Sequence, residues 1–141
     1  MQKLALITGT GSGIGKALAE LLLDKNYKVV GYSRTNKITH TNFTYIKIDL
    51  SDLAATKKLV FPEANKSEVL LVNNAATIGT ITPFNKKTTK DIITEYQLNL
   101  ISPTLLSKKF ISTYKKNSKL LINMGSGAAN NPISSWSTYC A

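Results

Sequence analysis

The stretch Thr8-Gly9-Thr10-Gly11-Ser12-Gly13-Ile14-Gly15 limits the fold more than any other part of the chain. An apolar run, Leu4-Ala5-Leu6-Ile7, precedes it, and residues at helical spacing (Ile14, Ala17, Leu18, Leu21, Leu22) follow. Strand, glycine turn and helix in that order are the context in which a glycine pattern indicates a dinucleotide site. Glycine lets the backbone take positive φ and come close to a ligand. The helix N-terminus then presents unpaired N–H groups and a positive dipole end to a pyrophosphate. A turn that merely joined strand to helix would not need glycine at positions 9, 11, 13 and 15. Gly9, Gly11, Ser12, Gly13, Ile14 and Gly15 are therefore candidate cofactor-binding residues.

A chain of 141 residues is one domain, long enough for a core. Its hydrophobic fraction of 43% fits a globular protein, as does its mean hydropathy of −0.06. No apolar run approaches the ~18 residues of a membrane span, and the N-terminus enters a strand without a signal-peptide layout. No membrane partner and a cytoplasmic setting are expected, which the lone Cys140 suits. One cysteine and one histidine supply no metal cluster. The net charge of +10 raises nucleic acid as a partner. The lysines, however, come as scattered pairs (Lys57-Lys58, Lys86-Lys87, Lys108-Lys109, Lys115-Lys116) on polar faces, so a solvated surface without nucleic acid is expected.

Taken in order, residues 3–7, 27–32, 43–48, 69–72 and 119–122 read as five strands. The helix after the glycine loop ends near Asp24 to Asn26. A short helix starts at Ser51 or Asp52, both good N-caps, and Pro62 marks its end. A longer helix begins near Thr88, where Thr88-x-x-Asp91 matches a capping box. Ile92, Ile93, Tyr96 and Leu100 form its apolar stripe; Pro103 is expected to bend it, and Leu106, Phe110 and Ile111 continue it. This alternation predicts an α/β fold with a doubly wound parallel sheet. Right-handed crossovers give strand order 3-2-1-4-5, with the ligand crevice at the carboxyl ends beside strand 1.

The spacing T-G-x-x-x-G-x-G resembles the short-chain dehydrogenase/reductase family, and the likeness runs over essentially the whole chain. Asn73-Asn74-Ala75-Ala76 is similar to the family's N-N-A-G after strand 4, with Ala76 in place of Gly. Ser126 and Tyr139 stand thirteen residues apart, the family's usual spacing from catalytic Ser to catalytic Tyr. Ser126-Gly127-Ala128-Ala129, Pro132 and Trp136-Ser137-Thr138-Tyr139-Cys140-Ala141 resemble a carbonyl-reducing branch that includes sepiapterin and benzil reductases. The resemblance implies a Rossmann domain over residues 1–141, a nicotinamide cofactor and a small-molecule carbonyl substrate.

NAD binders usually place Asp or Glu after strand 2 to bond the adenosine ribose. Ser33-Arg34 stand there instead. No carboxylate repels a 2′-phosphate, and the guanidinium can pair with one bidentately. NADP (as NADPH) is expected over NAD; otherwise Arg34 is a surface cation at a strand end. By resemblance, Asp49 accepts from the adenine amino group, Leu50 supplies backbone contact, and Asn74 and Ala75 back the cofactor. Asp49 also suits a helix-start role, and the two roles are compatible. Asn99 is an unfavourable helix residue, read either as an exposed polar position or, by resemblance, as the opening of a kink whose carbonyl holds a proton-relay water. Ser126 would orient the substrate carbonyl oxygen, and Tyr139, which also lies at the cofactor, would protonate it as hydride arrives.

The family motif is Y-x-x-x-K, and a partner lysine for Tyr139 would fall two residues beyond Ala141. In the family that lysine places a cation beside the phenolate and holds the nicotinamide ribose. A C-terminally truncated reductase is therefore expected, lacking the last strands and helices of the family domain. Its full-length form would be a homo-oligomer, and the chain as it stands would have little or no activity. Two functions follow: an NADP-dependent oxidoreductase reducing a ketone, aldehyde or dicarbonyl, or a non-catalytic NADP(H)-binding module.

Overall fold

The computed structural model describes residues 3–65 and 67–141. Its strands are β1 (Leu4–Thr8), β2 (Lys28–Ser33), β3 (Phe43–Lys47), β4 (Val69–Asn73) and β5 (Lys119–Asn123). The helices are α1 (Gly13–Asp24), α2 (Leu53–Lys58), α3 (Thr89–Tyr96), α4 (Ser102–Thr113) and α5 (Ser137–Cys140). All strand pairs are parallel, and the order is β3-β2-β1-β4-β5, as the alternation predicts. Leu6 pairs with Val30 on one side and Leu71 on the other.

The continuous apolar runs follow from burial on both faces. Side chains alternate across a strand, so Leu4 and Leu6 face one core while Ala5 and Ile7 face the other. The first core gathers Val30, Tyr32, Val69 and Leu71 under α4, whose Leu106 and Phe110 pack with Phe61 and Tyr114. Phe110 and Tyr114 meet edge to face at 5.4 Å, and the Tyr114 hydroxyl donates to the Pro62 carbonyl at 2.6 Å. The second core lies under α1, where Ala19, Leu22 and Leu23 cover Val29 and Val72. β5 closes one edge of the sheet and leaves Leu120 and Ile122 exposed. Among the described residues no helix is long and apolar enough to cross a membrane.

Several helix faces differ from the sequence expectation. In α1 the buried residues are Gly15, Ala19, Leu22 and Leu23, whereas Ile14 and Leu21 are 63% and 52% exposed. The Leu21-Leu22-Leu23 run has no phase of its own, and close packing at Gly15 sets the rotation. A Cβ on Gly15 would stand 2.3 Å from the Gly9 carbonyl oxygen and 2.4 Å from Asn74 Nδ2. α1 ends in a Schellman motif with Asn26 at φ 61°: Asn26 N donates to Leu23 O and Tyr27 N to Leu22 O.

The predicted stripe of α3 is also corrected. Ile93 and Leu100 are 63% and 57% exposed, and the buried residues there are Glu95 and Gln97. Ile111 on α4 is exposed as well. The break between α3 and α4 is a π-helical turn, Gln97–Ile101, upstream of Pro103. Pro103 sits just after it, in the first turn of α4; because the backbone ahead of Pro103 is already helical, its missing N–H removes one intrahelical bond, and the π-turn is where the helix absorbs that loss. Thr88 caps α3 as expected: its hydroxyl accepts from Asp91 N at 3.0 Å and donates to the Asp91 carboxylate at 2.7 Å.

Alanine is normally favoured over glycine inside a helix by ~0.5–1 kcal/mol. At Gly15 the clash with a backbone carbonyl outweighs that gain, so Gly15→Ala is expected to destabilise by about 1–3 kcal/mol in urea unfolding. Gly125→Ala, which meets nothing within 4 Å, is expected to stay within about 0.5 kcal/mol of the parent.

Candidate functional site

The carboxyl ends of β1, β2, β3 and β4 surround a cavity of about 350 Å³. The β1–α1 loop supplies Gly9, Gly11 and Ser12; Arg34 follows β2; Asp49 and Leu50 follow β3; Asn74 and Ala75 follow β4. These eight of the sequence-selected residues come together. Gly13, Ile14 and Gly15 form the first turn of α1 beside the cavity. Ser12 occupies the N-cap position without a side-chain capping bond, so the N-terminal amides of α1 are left for an anion. A pyrophosphate fits this donor set.

Hydroxyls fix the loop to the sheet. Thr8 Oγ1 accepts from Asn74 N and Ala75 N, both at 2.9 Å, and Asn74 Nδ2 donates to the Thr8 carbonyl at 3.0 Å. Ser33 closes β2 rather than following it. Its hydroxyl donates to the Thr35 carbonyl at 2.6 Å, so the Thr10 hydroxyl donates to Ser33 Oγ at 3.2 Å. The Ser33 proton is thus committed to the loop that follows β2, and exposed Arg34 is the cation at the rim. Asp52, not Asp49, caps α2 through the N–H groups of Ala54 and Ala55. Asp49 Oδ1 instead accepts from Ser51 N and Ser51 Oγ at 2.9 and 2.7 Å.

A second cavity, about 460 Å³, shares Asn74, Ala75 and Ala76 with the first and extends to Asn99, Ser107 and Asn123. Asn99 lies within the π-turn, and π-turns are frequent at functional sites. It is not a free surface amide: Oδ1 accepts from Thr77 N at 2.9 Å and Nδ2 donates to Thr77 O at 2.8 Å. Asn73 Nδ2 bridges to Asn123 Oδ1 and Ser107 Oγ at 2.8 and 3.0 Å, tying β4 to β5 and α4. Ser126 is exposed after β5 and caps the 3-10 turn Gly127–Ala129, accepting from Ala128 N. α5 packs on that turn, which makes the segments of Ser126 and Tyr139 neighbours. Tyr139 is half-buried, its ring 5.7 Å from that of Trp136, and neither Ser126 nor Tyr139 lines the two cavities.

Sequence reasoning missed a buried ion pair beside this region. Lys87, expected on a solvated face, is 8% exposed, and Glu95 is 3% exposed. Lys87 Nζ donates to both Glu95 carboxylate oxygens at 2.7 and 2.8 Å. Burial would raise the Glu95 carboxyl, yet the bonds from Lys87, Thr138 and the Thr80 N–H hold it below the usual glutamate range. No motif spacing announces such a pair. The available signal was that Glu95 lies three residues after Ile92 and three before Leu98, on a helix side shared with apolar residues.

Residues 3–141 match the family model described as short chain dehydrogenase. Two curated relatives named benzil reductase ((S)-benzoin forming), from Bacillus cereus and Bacillus subtilis (strain 168), are 32% and 34% identical to it. The alignments cover 96% and 99% of this chain and 61% of each relative, so the chain spans about three-fifths of their length. A crystal structure of a short-chain dehydrogenase/reductase from Burkholderia vietnamiensis superposes with a TM-score of 0.87 at 28% identity, covering 99% of this chain and 70% of that one.

The Ser51 hydroxyl is the largest influence holding the Asp49 carboxyl below its usual range, ahead of the Ser51 N–H, with the Arg34 charge a smaller one. Carboxyl-detected NMR titration should therefore show the Asp49 midpoint rising in Ser51→Ala and rising less in Arg34→Ala. Because the folded-state value is depressed, the stability this carboxylate confers is present above the usual Asp pKa of ~3.9 and is lost as pH falls through the folded value.

Proposed function

Because the chain belongs to the short-chain dehydrogenase family, we propose that its residues serve the NADPH-dependent reduction of a ketone, aldehyde or dicarbonyl. The observation that carries this proposal is the first cavity, where the uncapped start of α1 and the Arg34 guanidinium border one space. The amides of Gly13, Ile14 and Gly15 would hold the pyrophosphate. Arg34 would pair with a 2′-phosphate, while Asp49, Leu50, Asn74 and Ala75 would line the adenosine and its ribose. The benzil reductase relatives support a dicarbonyl as substrate class.

A reduced nicotinamide, when bound, supplies hydride to the carbonyl carbon. The chain's part is to manage the oxygen. The Tyr139 hydroxyl would donate its proton there, and the Ser126 hydroxyl would donate a hydrogen bond to the same atom. The Ser126 Oγ already accepts from Ala128 N at 3.2 Å, which fixes the oxygen and leaves its proton to point elsewhere. Asn99, by holding the π-turn to Thr77, would keep a backbone carbonyl available for the relay that resupplies Tyr139. With about three-fifths of the relatives' length present, these residues by themselves are proposed to bind the dinucleotide and to turn over little.

The first test is a fluorescence titration of the chain with NADPH and with NADH. NADPH is expected to bind more tightly. A charge-assisted bond is worth ~1.5–3 kcal/mol, so Arg34→Ala should weaken NADPH binding about 10- to 100-fold and leave NADH unchanged. Equal affinities that ignore the substitution would overturn the NADP assignment. Benzil-dependent NADPH oxidation, abolished by Tyr139→Phe, separates a reductase from a module that only binds the dinucleotide.

A further inference from the structure

α5 spans only four residues. Its backbone bonds include Cys140 N to Trp136 O at 2.9 Å and Ala141 N to Ser137 O at 3.2 Å. Helices below ~12–15 residues are marginal without tertiary support, so the direction of α5, and with it of Tyr139, must be set from outside. Two outside contacts come from the segment between β4 and α4. The Thr82 N–H donates to the Ser135 carbonyl at 3.3 Å. The Thr138 hydroxyl donates to Glu95 Oε2.

Glu95 is itself held on the remaining sides. Oε1 accepts from Thr80 N at 2.9 Å, and Lys87 Nζ reaches both carboxylate oxygens while also donating to the Thr80 carbonyl at 2.8 Å. The loop closes directly over the carboxylate because residue 79 is glycine at φ +75°; a Cβ there would lie 1.9 Å from Oε1. The carboxylate is thus a buried post with both oxygens bonded, one of them turned to α5.

We propose that Glu95, clamped by Lys87 and the Thr80 N–H, is a positioning residue for Tyr139, seating α5 through the Thr138 hydroxyl. Thr138 and Tyr139 are consecutive on the helix, so anchoring Thr138 inward turns Tyr139 about 100° away, off the post. Thr138 is indeed buried and Tyr139 half-exposed. The consequence for catalysis rests on Tyr139 being the proton donor proposed above; the seating itself does not.

Trp136 is the single tryptophan of the chain and its ring contacts that of Tyr139, so its emission reports the seat of α5 without cofactor or substrate. Thr138→Val keeps the side-chain shape, removes the hydroxyl and leaves the Lys87–Glu95 pair intact. It is expected to red-shift Trp136 emission and to increase its quenching by acrylamide, with far-UV circular dichroism at the parent value. Thr138→Ser, which retains the hydroxyl, should restore the parent spectrum, and Glu95→Gln should shift emission as Thr138→Val does. The valine variant decides the matter even where Glu95→Gln fails to fold. Parent-like emission and quenching in folded Thr138→Val would overturn the proposal, as would an equal shift in Thr138→Ser. A chain that binds no NADPH would instead count against the dinucleotide function, and the Trp136 comparison would still decide the seating.

Discussion

The missing side chain at Gly15 is the constraint on which the molecule's upper edge depends. It lets the first turn of α1 rest on the Gly9 carbonyl and on the Asn74 amide, so three segments converge where two strands and a helix would otherwise keep van der Waals distance. Asn74 and Ala75 are drawn to the same place from β4 by the Thr8 hydroxyl. The side of the first cavity formed by the β1–α1 loop and the end of β4 is therefore built from backbone and short side chains, with Tyr32, Ile48, Leu50 and Leu98 among the residues lining the rest. Its position is set by steric exclusion as much as by attraction.

The two cores and the carboxyl ends of the strands are held by different physics. Below, aliphatic and aromatic side chains stack on both faces of the sheet, and their burial at roughly 25 cal/mol per Å² supplies the bulk of the stability. Above, single hydrogen bonds link elements distant in sequence. Ser102 Oγ donates to the Leu50 carbonyl and accepts from Gln97 Nε2 at 2.9 Å, which joins the π-turn to the end of β3. Such bonds contribute only ~1 kcal/mol each in net terms, but an orphaned buried partner costs ~1–3 kcal/mol. They define positions more than they add stability.

Strands, sheet order and the glycine loop were legible because each has a short-range signature. A continuous apolar run reads as a strand buried on both sides, and glycines at its end read as a turn against a ligand. The rotation of α1 was not legible, since three consecutive leucines suit several phases and a contact with Asn74, far along the chain, selects one. α3 was misread because the inward residues of α3 and of the π-turn after it, Glu95 and Gln97, are polar, and a hydropathy stripe points to whichever side is greasier. Lys87 was misread for a related reason: a charged residue counts as solvated until its partner eight positions away is seen to be buried with it. The π-turn has no composition of its own. Asn99 hinted at irregularity, but only the Ser102 N–H bond to the Gln97 carbonyl shows that it is a π-turn, which the two hydrogen bonds of Asn99 to Thr77 hold in place.

β5 offers one bare edge of the sheet, with Leu120 and Ile122 exposed along it, while the chain carries a net charge of +10. These two facts oppose each other in colloidal terms. Two copies meeting edge to edge could pair their free backbone groups, and the like charge of the two copies opposes that approach. That repulsion reaches roughly 10 Å at 0.1 M salt and only about 3 Å at 1 M. For the described residues taken alone, added salt thus weakens the repulsion that opposes strand-to-strand pairing at β5.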